Sequence, residues 1–235
     1  MTHAKAKPPH AAPHGPVALF GGSFDPIHSG HLAVARAAVQ RFHLERVHFI
    51  PSGIPPHKQR RKLASFADRY AMVSLACAGH TEFVPSLLEG GEDHSGRVIS
   101  YSVDTVRHFR HALHGRAENL YFILGADQFL GISTWRDYET LLGLCDFIVA
   151  NRPGFRLETL RLVIPPELLG RHKAHPKPDD PNAILLRRTT VHPLETVASE
   201  ISSTEIRRRV RNAASIDGLV PARVEEYIEK QALYR

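Results

Sequence analysis

The sequence of 235 residues has few of the features that mark secreted, membrane-spanning or metal-binding proteins. Its two cysteines, Cys77 and Cys145, lie in apolar segments without metal or redox spacing, so we expect two buried thiols in a reducing cytosol. No apolar run is long enough for a transmembrane helix. Residues 1–15 lack the apolar core of a secretory signal and are rich in Ala, Pro, His and Lys, which predicts a disordered tail. These absences predict a cytoplasmic protein without a membrane partner.

The composition predicts a globular protein that binds anions. Apolar residues make up 43% of the chain, enough for a sizeable core, and the formal charge of +6 favours anionic partners such as nucleotides. No basic patch is interleaved with aromatic residues, so we do not expect nucleic acid as a partner. We predict one domain over residues 16–235, with a small helical C-terminal part at about 200–235. The sequence leaves open whether the chain forms a homo-oligomer.

Short apolar runs alternate with longer helical patterns along the chain, which predicts an α/β fold of the Rossmann-like type, a doubly wound parallel sheet. The predicted strands are Val17–Phe20, Val47–Ile50, Phe83–Val84, Leu120–Leu124, Phe147–Ala150 and Ala183–Leu186. The predicted helices are His31–Phe42, Phe66–Ala78, Ser100–Leu113, Tyr138–Leu144, Ser203–Asn212 and Pro221–Leu233, the last with Pro221 at its first position. Prolines and charges weaken the pattern from Pro153 to Asn182, which predicts a surface insertion or a poorly ordered connection.

The segment between the first strand and the first helix carries most of the chemistry. The strand runs into Gly21 and Gly22, and glycines at this point let backbone amides approach a ligand closely. The following helix contributes free N–H groups, a good setting for phosphate. His28 and His31 are three residues apart on its first turn and can donate hydrogen bonds to phosphate oxygens. The same spacing would also suit a metal pair, but no third ligand lies nearby in the sequence.

This segment, Gly-Gly-Ser-Phe-Asp-Pro-Ile-His-Ser-Gly-His, resembles the His-x-Gly-His signature of the nucleotidylyltransferase superfamily. Its fuller form is similar to that of the bacterial nicotinate mononucleotide adenylyltransferases. Four further segments resemble motifs of the same family, in the same order: Pro55–Lys58, Ser100–Thr105, Phe122–Asp127 followed by Trp135, and Ile201–Arg207. The resemblance extends from Val17 to the end of the chain and omits Pro153–Asn182.

The resemblance implies transfer of AMP from ATP to nicotinate mononucleotide, with release of pyrophosphate and without a covalent intermediate. It implies catalytic roles for His28, His31 and Arg207. The implied ATP-binding residues are Gly21, Gly22, Ser23, Phe24, His28, His31, Asp127, Ile201, Ser202, Ser203, Thr204 and Arg207. The implied acceptor-binding residues are His57, Lys58, Ser102, Thr105 and Trp135. Mg²⁺ is expected to enter with ATP, and the sequence shows no dedicated carboxylate cage, with Asp25 as an outer helper at most.

Three positions depart from the family pattern: Arg136 where tyrosine is common, Ser102 for threonine, and Gly53 for a polar residue. All three concern the pyridine pocket, so nicotinamide mononucleotide stays open as the acceptor, although Arg136 could favour a carboxylate. Two more hypotheses stay open at the level of the sequence. The chain could be a transferase of the phosphopantetheine or glycerol-phosphate type, or a nucleotide-binding regulatory module without turnover.

Overall fold

The computed structural model describes residues 15–53, 63–90, 101–113, 120–151, 155–170, 180–195 and 201–235. Seven strands in these residues form one sheet. Their bounds are β1 Val17–Gly22, β2 Arg46–Pro51, β3 Phe83–Pro85, β4 Leu120–Gly125, β5 Asp146–Asn151, β6 Ile184–Leu185 and β7 Thr190–Glu195. The helices of the same residues are α1 Ser29–Phe42, α2 Phe66–Cys77, α3 Ser102–Ala112, α4 Ala126–Leu130, α5 Tyr138–Leu142, α6 Glu158–Arg161, α7 Ser203–Arg211 and α8 Ala222–Lys230.

The strand order β3-β2-β1-β4-β5-β7-β6 confirms the predicted Rossmann-like α/β class. All neighbouring strands are parallel except β6, which pairs antiparallel with β7 at the edge. The order reverses between β1 and β4, which lie side by side although helices and two strands separate them in the chain. In such sheets, ligands bind in the crevice outside the carboxyl ends of the strands at this reversal. Here those ends are Gly22 of β1 and Gly125 of β4.

Helices cover both faces of the sheet because the strands are apolar on both sides. Along β1, Ala18 and Phe20 join one core and Val17 and Leu19 the other. The first core holds α1, α2, α7 and α8, and the second holds α3, α4, α5 and α6. The C-terminal helices therefore pack on the same face as α1, the helix that begins the predicted phosphate-binding segment.

Three of these elements, β7, α4 and α6, were not predicted from the sequence. The predicted strand Ala183–Leu186 corresponds to β6, whereas β7 was missed because its sequence is polar and contains Pro193. Helix α4 has only five residues, too short for a periodic pattern, and it places Asp127 in its first turn, directly after β4. Pro221 is the residue before α8 begins, not its first helical position.

The prediction of a surface insertion or poorly ordered connection over Pro153–Asn182 was wrong for residues 155–170. Helix α6 lies in this part, and Leu160 and Ile164 are buried in the second core. Residues 152–154 and 171–179 lie outside the described part of the chain, as does nearly all of the tail predicted for residues 1–15. Among the described helices, none has both the length and the apolar character to span a membrane.

Candidate active site

The β1–α1 loop, residues 23–28, places two histidines at the carboxyl edge of the sheet. His28 is extended and immediately precedes α1, so it stands at the end of the helix where backbone N–H groups are free. His31 is one turn later, and its Nδ1 accepts a hydrogen bond from the backbone N–H of His28 at 3.2 Å. A neutral imidazole that accepts through Nδ1 carries its proton on Nε2, so His31 keeps a donor for a ligand.

Both imidazoles are neutral at physiological pH because they are enclosed. Burial lowers the pKa of His28 to about 4, and the side chain is 7% exposed. Burial, and repulsion from the His28 ring whenever that ring is protonated, hold the pKa of His31 well below its usual value. The Nδ1 atom of His28 is buried and has no hydrogen-bond partner among the described residues. The pair is therefore a set of neutral hydrogen-bonding groups, not a pair of cations.

The two histidines line the first of two cavities at this edge, which we call the histidine cavity. Its volume is about 380 Å³. Several predicted ATP-binding residues line it together: Gly21, Gly22, Ser23, Phe24, His28, His31, Asp127 and Ile201. The floor is closely packed at Gly22, where a Cβ would lie 3.1 Å from the ring of Phe24, which contacts His31 edge-on.

The second, which we call the aromatic cavity, has a volume of about 340 Å³. Three of the predicted acceptor residues, Ser102, Thr105 and Trp135, line it. Trp135 is half-buried, with its ring edge-on to Phe122 at 6.2 Å between centroids. The exposed guanidinium of Arg136 lies over the Tyr101 ring, 4.6 Å from its centroid. The predicted acceptor residues His57 and Lys58 lie outside the described residues.

The two cavities share one wall. Five residues line both of them: Gly21, Gly22, Ser23, Asp127 and Gln128. The wall consists of the carboxyl end of β1 with the residue that follows it, and the first turn of α4 beyond β4. Two ligands bound one in each cavity would therefore meet across the point where the order of the sheet reverses.

The start of α7 holds four predicted ATP-binding residues that do not line either cavity: Ser202, Ser203, Thr204 and Arg207. Two of them, Ser203 and Arg207, contact the β1–α1 loop. Ser202 caps α7 by accepting a hydrogen bond from the Glu205 backbone N–H. The Ser203 hydroxyl donates to the carbonyl of Pro26 at 2.9 Å. Arg207 donates to the carbonyl of Asp25 at 2.6 Å and to the Thr204 hydroxyl at 3.2 Å. In this structure the start of α7 thus supports the loop, and direct contact with ATP stays a prediction.

Glu89 is a site residue that was not predicted from the sequence. Its carboxylate lines the aromatic cavity and accepts hydrogen bonds from the Thr105 hydroxyl at 2.7 Å and the Gly53 backbone N–H at 3.4 Å. Burial raises the pKa of Glu89, an effect that these two hydrogen bonds and the charge of Arg69 partly offset. Thr105 is 1% exposed, and its hydroxyl donates a hydrogen bond to Glu89. The polar group that faces the cavity is therefore the carboxylate of Glu89 and not the hydroxyl of Thr105.

The close approach of Glu89 to the backbone of residue 53 requires a glycine there, and Gly53 is one of the departures from the family pattern. A Cβ there would lie 2.5 Å from the backbone oxygen of Glu89, too close for any other residue without a backbone shift. The only sequence signal for Glu89 was an acid at the end of an apolar run. Tyr101 and Gln128 were also missed as lining residues, although each adjoins a residue that was predicted.

Comparisons with known proteins agree with this geometry. Residues 19–209 match the cytidylyltransferase-like family. The chain is 45% identical to the probable nicotinate-nucleotide adenylyltransferase of Moorella thermoacetica over 224 residues, which cover 94% of this chain and 92% of that protein. It is 42% identical to the protein of the same name from Geobacter sp. over 219 residues, 92% of this chain and 96% of that one.

A solved structure, nicotinic acid mononucleotide adenylyltransferase from Plasmodium falciparum complexed with NaAD, has the same fold. Its TM-score is 0.66 at 19% identity, with 94% of this chain and 98% of that chain covered. Fold, family match and relatives thus define the class as the cytidylyltransferase-like nucleotidyltransferases. Within that class, the chain belongs to the nicotinate-nucleotide adenylyltransferase family, which confirms the resemblance inferred from the sequence motifs.

Proposed function

We propose that this protein transfers the AMP group of ATP to nicotinate mononucleotide and forms nicotinate adenine dinucleotide and pyrophosphate. The observation that carries the proposal is the shared wall between the histidine cavity and the aromatic cavity. A transfer between two nucleotides needs two adjoining binding sites whose ligands meet at one reacting phosphorus. The wall formed by Gly21–Ser23 and by Asp127 and Gln128 provides that meeting point.

ATP is assigned to the histidine cavity. Its phosphates would lie against His28, His31 and the start of α1, where free backbone N–H groups and the helix dipole favour an anion. Asp127 is exposed at the shared wall, and a carboxylate there suits the hydroxyls of a ribose rather than a phosphate. Neutral imidazoles suit this role because a ring N–H can donate to a phosphate oxygen, and a neutral ring holds no counter-ion that the phosphate would first have to displace.

The acceptor is assigned to the aromatic cavity. Trp135 offers a flat ring for the pyridine, and the Ser102 hydroxyl offers a hydrogen bond. Arg136 at the rim adds a positive charge, which favours nicotinate over the uncharged nicotinamide. The carboxylate of Glu89 repels anions, so we place the acceptor's ribose beside it and the anionic phosphate toward the shared wall.

The reaction needs positioning more than proton transfer. The acceptor phosphate is already a nucleophile at neutral pH, so it attacks the α-phosphorus of ATP directly as pyrophosphate leaves on the opposite side. The role left to the protein is to hold the two nucleotides in line and to stabilise the charge on the transferring group. His28 and His31 are the donors closest to that task, and Arg207 acts by holding the loop that carries them.

Magnesium is part of the substrate in this scheme. Groups of three or more His, Cys, Asp or Glu side chains suited to a metal do not occur in the described residues. The carboxylate of Asp25 is 1% exposed and bonded within the protein, so it does not fit a metal helper. We therefore assign the ion to the phosphates of MgATP and route no step through a protein-bound metal.

The test is an acceptor assay with purified protein. Incubation with MgATP and nicotinate mononucleotide should give nicotinate adenine dinucleotide and pyrophosphate in equal amounts. Nicotinamide mononucleotide should react more slowly, and phosphopantetheine and glycerol phosphate should not react.

The catalytic role of the histidine pair is tested with variants. His31→Ala should lower kcat by about a hundredfold or more. His43→Ala, which changes an exposed histidine at the other end of α1, should leave kcat unchanged. Absence of the dinucleotide, or equal rates for wild type and His31→Ala, would refute the proposal.

A further inference from the structure

A buried carboxylate lies at the centre of the β1–α1 loop. Asp25 is 1% exposed, and its Oδ1 accepts hydrogen bonds from the Ala64 backbone N–H at 3.2 Å and from the Tyr234 hydroxyl at 2.8 Å. Its Oδ2 lies 3.6 Å from Nη1 of Arg207. Oδ1 is thus held by two hydrogen bonds, whereas Oδ2 has none among the described residues and relies on the charge of Arg207 to offset the cost of its burial. The position of the loop therefore depends on residues far away in sequence.

Three carbonyl groups of the same loop accept hydrogen bonds from side chains of α2 and α7. Arg69, buried in α2, donates to the Ser23 carbonyl at 2.8 Å, and Arg207 of α7 donates to the Asp25 carbonyl at 2.6 Å. The Ser203 hydroxyl donates to the Pro26 carbonyl. Carbonyl oxygens repel a triphosphate, whereas amide N–H groups attract it. None of these three donors lines the histidine cavity, so each of the three carbonyls is engaged by a group outside it.

Tyr234 connects this arrangement to the C-terminal segment. It follows α8 with a left-handed backbone conformation, φ of +66°, and its hydroxyl lies 4.0 Å from Sδ of Met72 in the first core. Burial and the charge of Asp25 raise the pKa of the Tyr234 hydroxyl, so it stays protonated and can only donate to the carboxylate. The hydroxyl does not line either cavity.

We propose that Tyr234 is a positioning residue for AMP transfer: through the carboxylate of Asp25 it holds the β1–α1 loop in the geometry that presents His28 and the Gly22–Ser23 backbone to the transferring phosphate. The inference rests on the proposed function. It assigns a role in the reaction to a side chain that touches neither nucleotide.

The chain offers a matched control for the test. Tyr227 of α8 donates its hydroxyl to Asp68 of α2 at 3.0 Å, so it also ties the C-terminal segment to the body of the protein, but away from the loop. Tyr234→Phe and Tyr227→Phe each remove one hydroxyl and one hydrogen bond to a carboxylate. A purely structural role predicts that both variants lose a similar amount of thermal stability and keep the same kcat per folded molecule.

The positioning role predicts a different result. Tyr234→Phe should lower kcat about tenfold, because small displacements of reacting groups are costly, and should leave KM for nicotinate mononucleotide within about twofold. Tyr227→Phe should keep kcat near the wild-type value. If Tyr234 acts through Asp25, adding Tyr234→Phe to Asp25→Asn should lower kcat by less than about twofold, as expected when two residues form one unit.

Two outcomes would overturn the inference. The first is a Tyr234→Phe protein with wild-type kcat, or one no slower than Tyr227→Phe. The second is a full tenfold loss when Tyr234→Phe is added to Asp25→Asn, which would mean that the hydroxyl does not act through that carboxylate. Failure of the proposed function would look different, since wild type itself would then form no dinucleotide.

Discussion

The imidazole rings of His28 and His31 are stacked, with centroids 3.6 Å apart and planes inclined by 25°. Two protonated rings at this distance would repel each other, and both are enclosed by the loop and the first turn of α1. The arrangement therefore favours neutral imidazoles until an anion arrives. The negative charge of a triphosphate would favour the protonated forms, so ATP and protons should bind to this pair cooperatively.

The stacked pair predicts how stability depends on pH. The unfolded chain binds a proton on residue 28 below about pH 6.5, but the folded protein does so only near pH 4. Between these values the unfolded state holds more protons, so the free energy of unfolding should decrease as pH falls from 6.5 to 4. The shift corresponds to a decrease of about 3 kcal/mol from His28. His31 contributes in the same direction.

Urea denaturation of wild type and His28→Asn at pH 7 and pH 4 measures this effect. The variant should lose less stability on acidification than wild type, by about the 3 kcal/mol that the pKa shift implies. The exposed His43 provides the control, and His43→Asn should retain the wild-type dependence. An unchanged pH dependence in His28→Asn would show that His28 is not held neutral by the fold.

The contact between Thr105 and Glu89 predicts the opposite dependence. Because the pKa of Glu89 is raised, the folded protein retains its proton to a higher pH than the unfolded chain, and stability falls as pH rises through that interval. Thr105→Val removes a hydrogen bond that lowers this pKa. The variant should therefore lose more stability at pH 8 than at pH 5, with a loss of about 1–3 kcal/mol at pH 8.

Thr159→Val is a suitable control for Thr105→Val. The Thr159 hydroxyl donates to the carbonyl of Arg156, so no carboxylate is involved and its loss should be the same at both pH values. Adding Glu89→Gln to Thr105→Val should remove the difference between pH 5 and pH 8. A pH-independent loss in Thr105→Val alone would argue against a charged Glu89 at the cavity wall.

The parts of the site that are local in sequence were predictable. The glycines, the two histidines and the start of α1 lie within eleven residues, and a strand followed by glycines and a helix can be recognised from composition and period. Trp135 and Ser102 were reached through the ordered family motifs. The first strands were predictable because buried parallel strands are continuous apolar runs.

The parts that depend on distant contacts were not predictable. The hydrogen bond between Tyr234 and Asp25 joins residues 209 apart, and neither residue carries a local signal of its partner. The role of Arg207 shows the same limit. The sequence shows that this side chain is charged, but not that it donates a hydrogen bond to the carbonyl of Asp25. Strand β7 was missed because pairing with β5, and not its own composition, makes it a strand.

The guanidinium over Tyr101 predicts acceptor selectivity. Arg136 is exposed at the rim of the aromatic cavity, so its attraction to the carboxylate of nicotinate is screened by solvent and salt. Arg136→Gln should lower kcat/KM for nicotinate mononucleotide about fivefold, the size expected for an exposed ion pair. The value for nicotinamide mononucleotide should stay nearly constant, because that acceptor has no carboxylate. The selectivity of wild type should also decrease as the salt concentration rises.

Arg107→Gln separates this local effect from net charge. Arg107 is an exposed arginine of α3 that pairs with Asp104 and does not line the cavity, so its loss changes the charge of the protein equally. It should alter kcat/KM for the two acceptors in the same proportion. If Arg136→Gln also changed both acceptors equally, Arg136 would attract nucleotides in general. Recognition of the pyridine carboxylate would then have to come from other groups of the aromatic cavity, with the Ser102 hydroxyl as the first to replace.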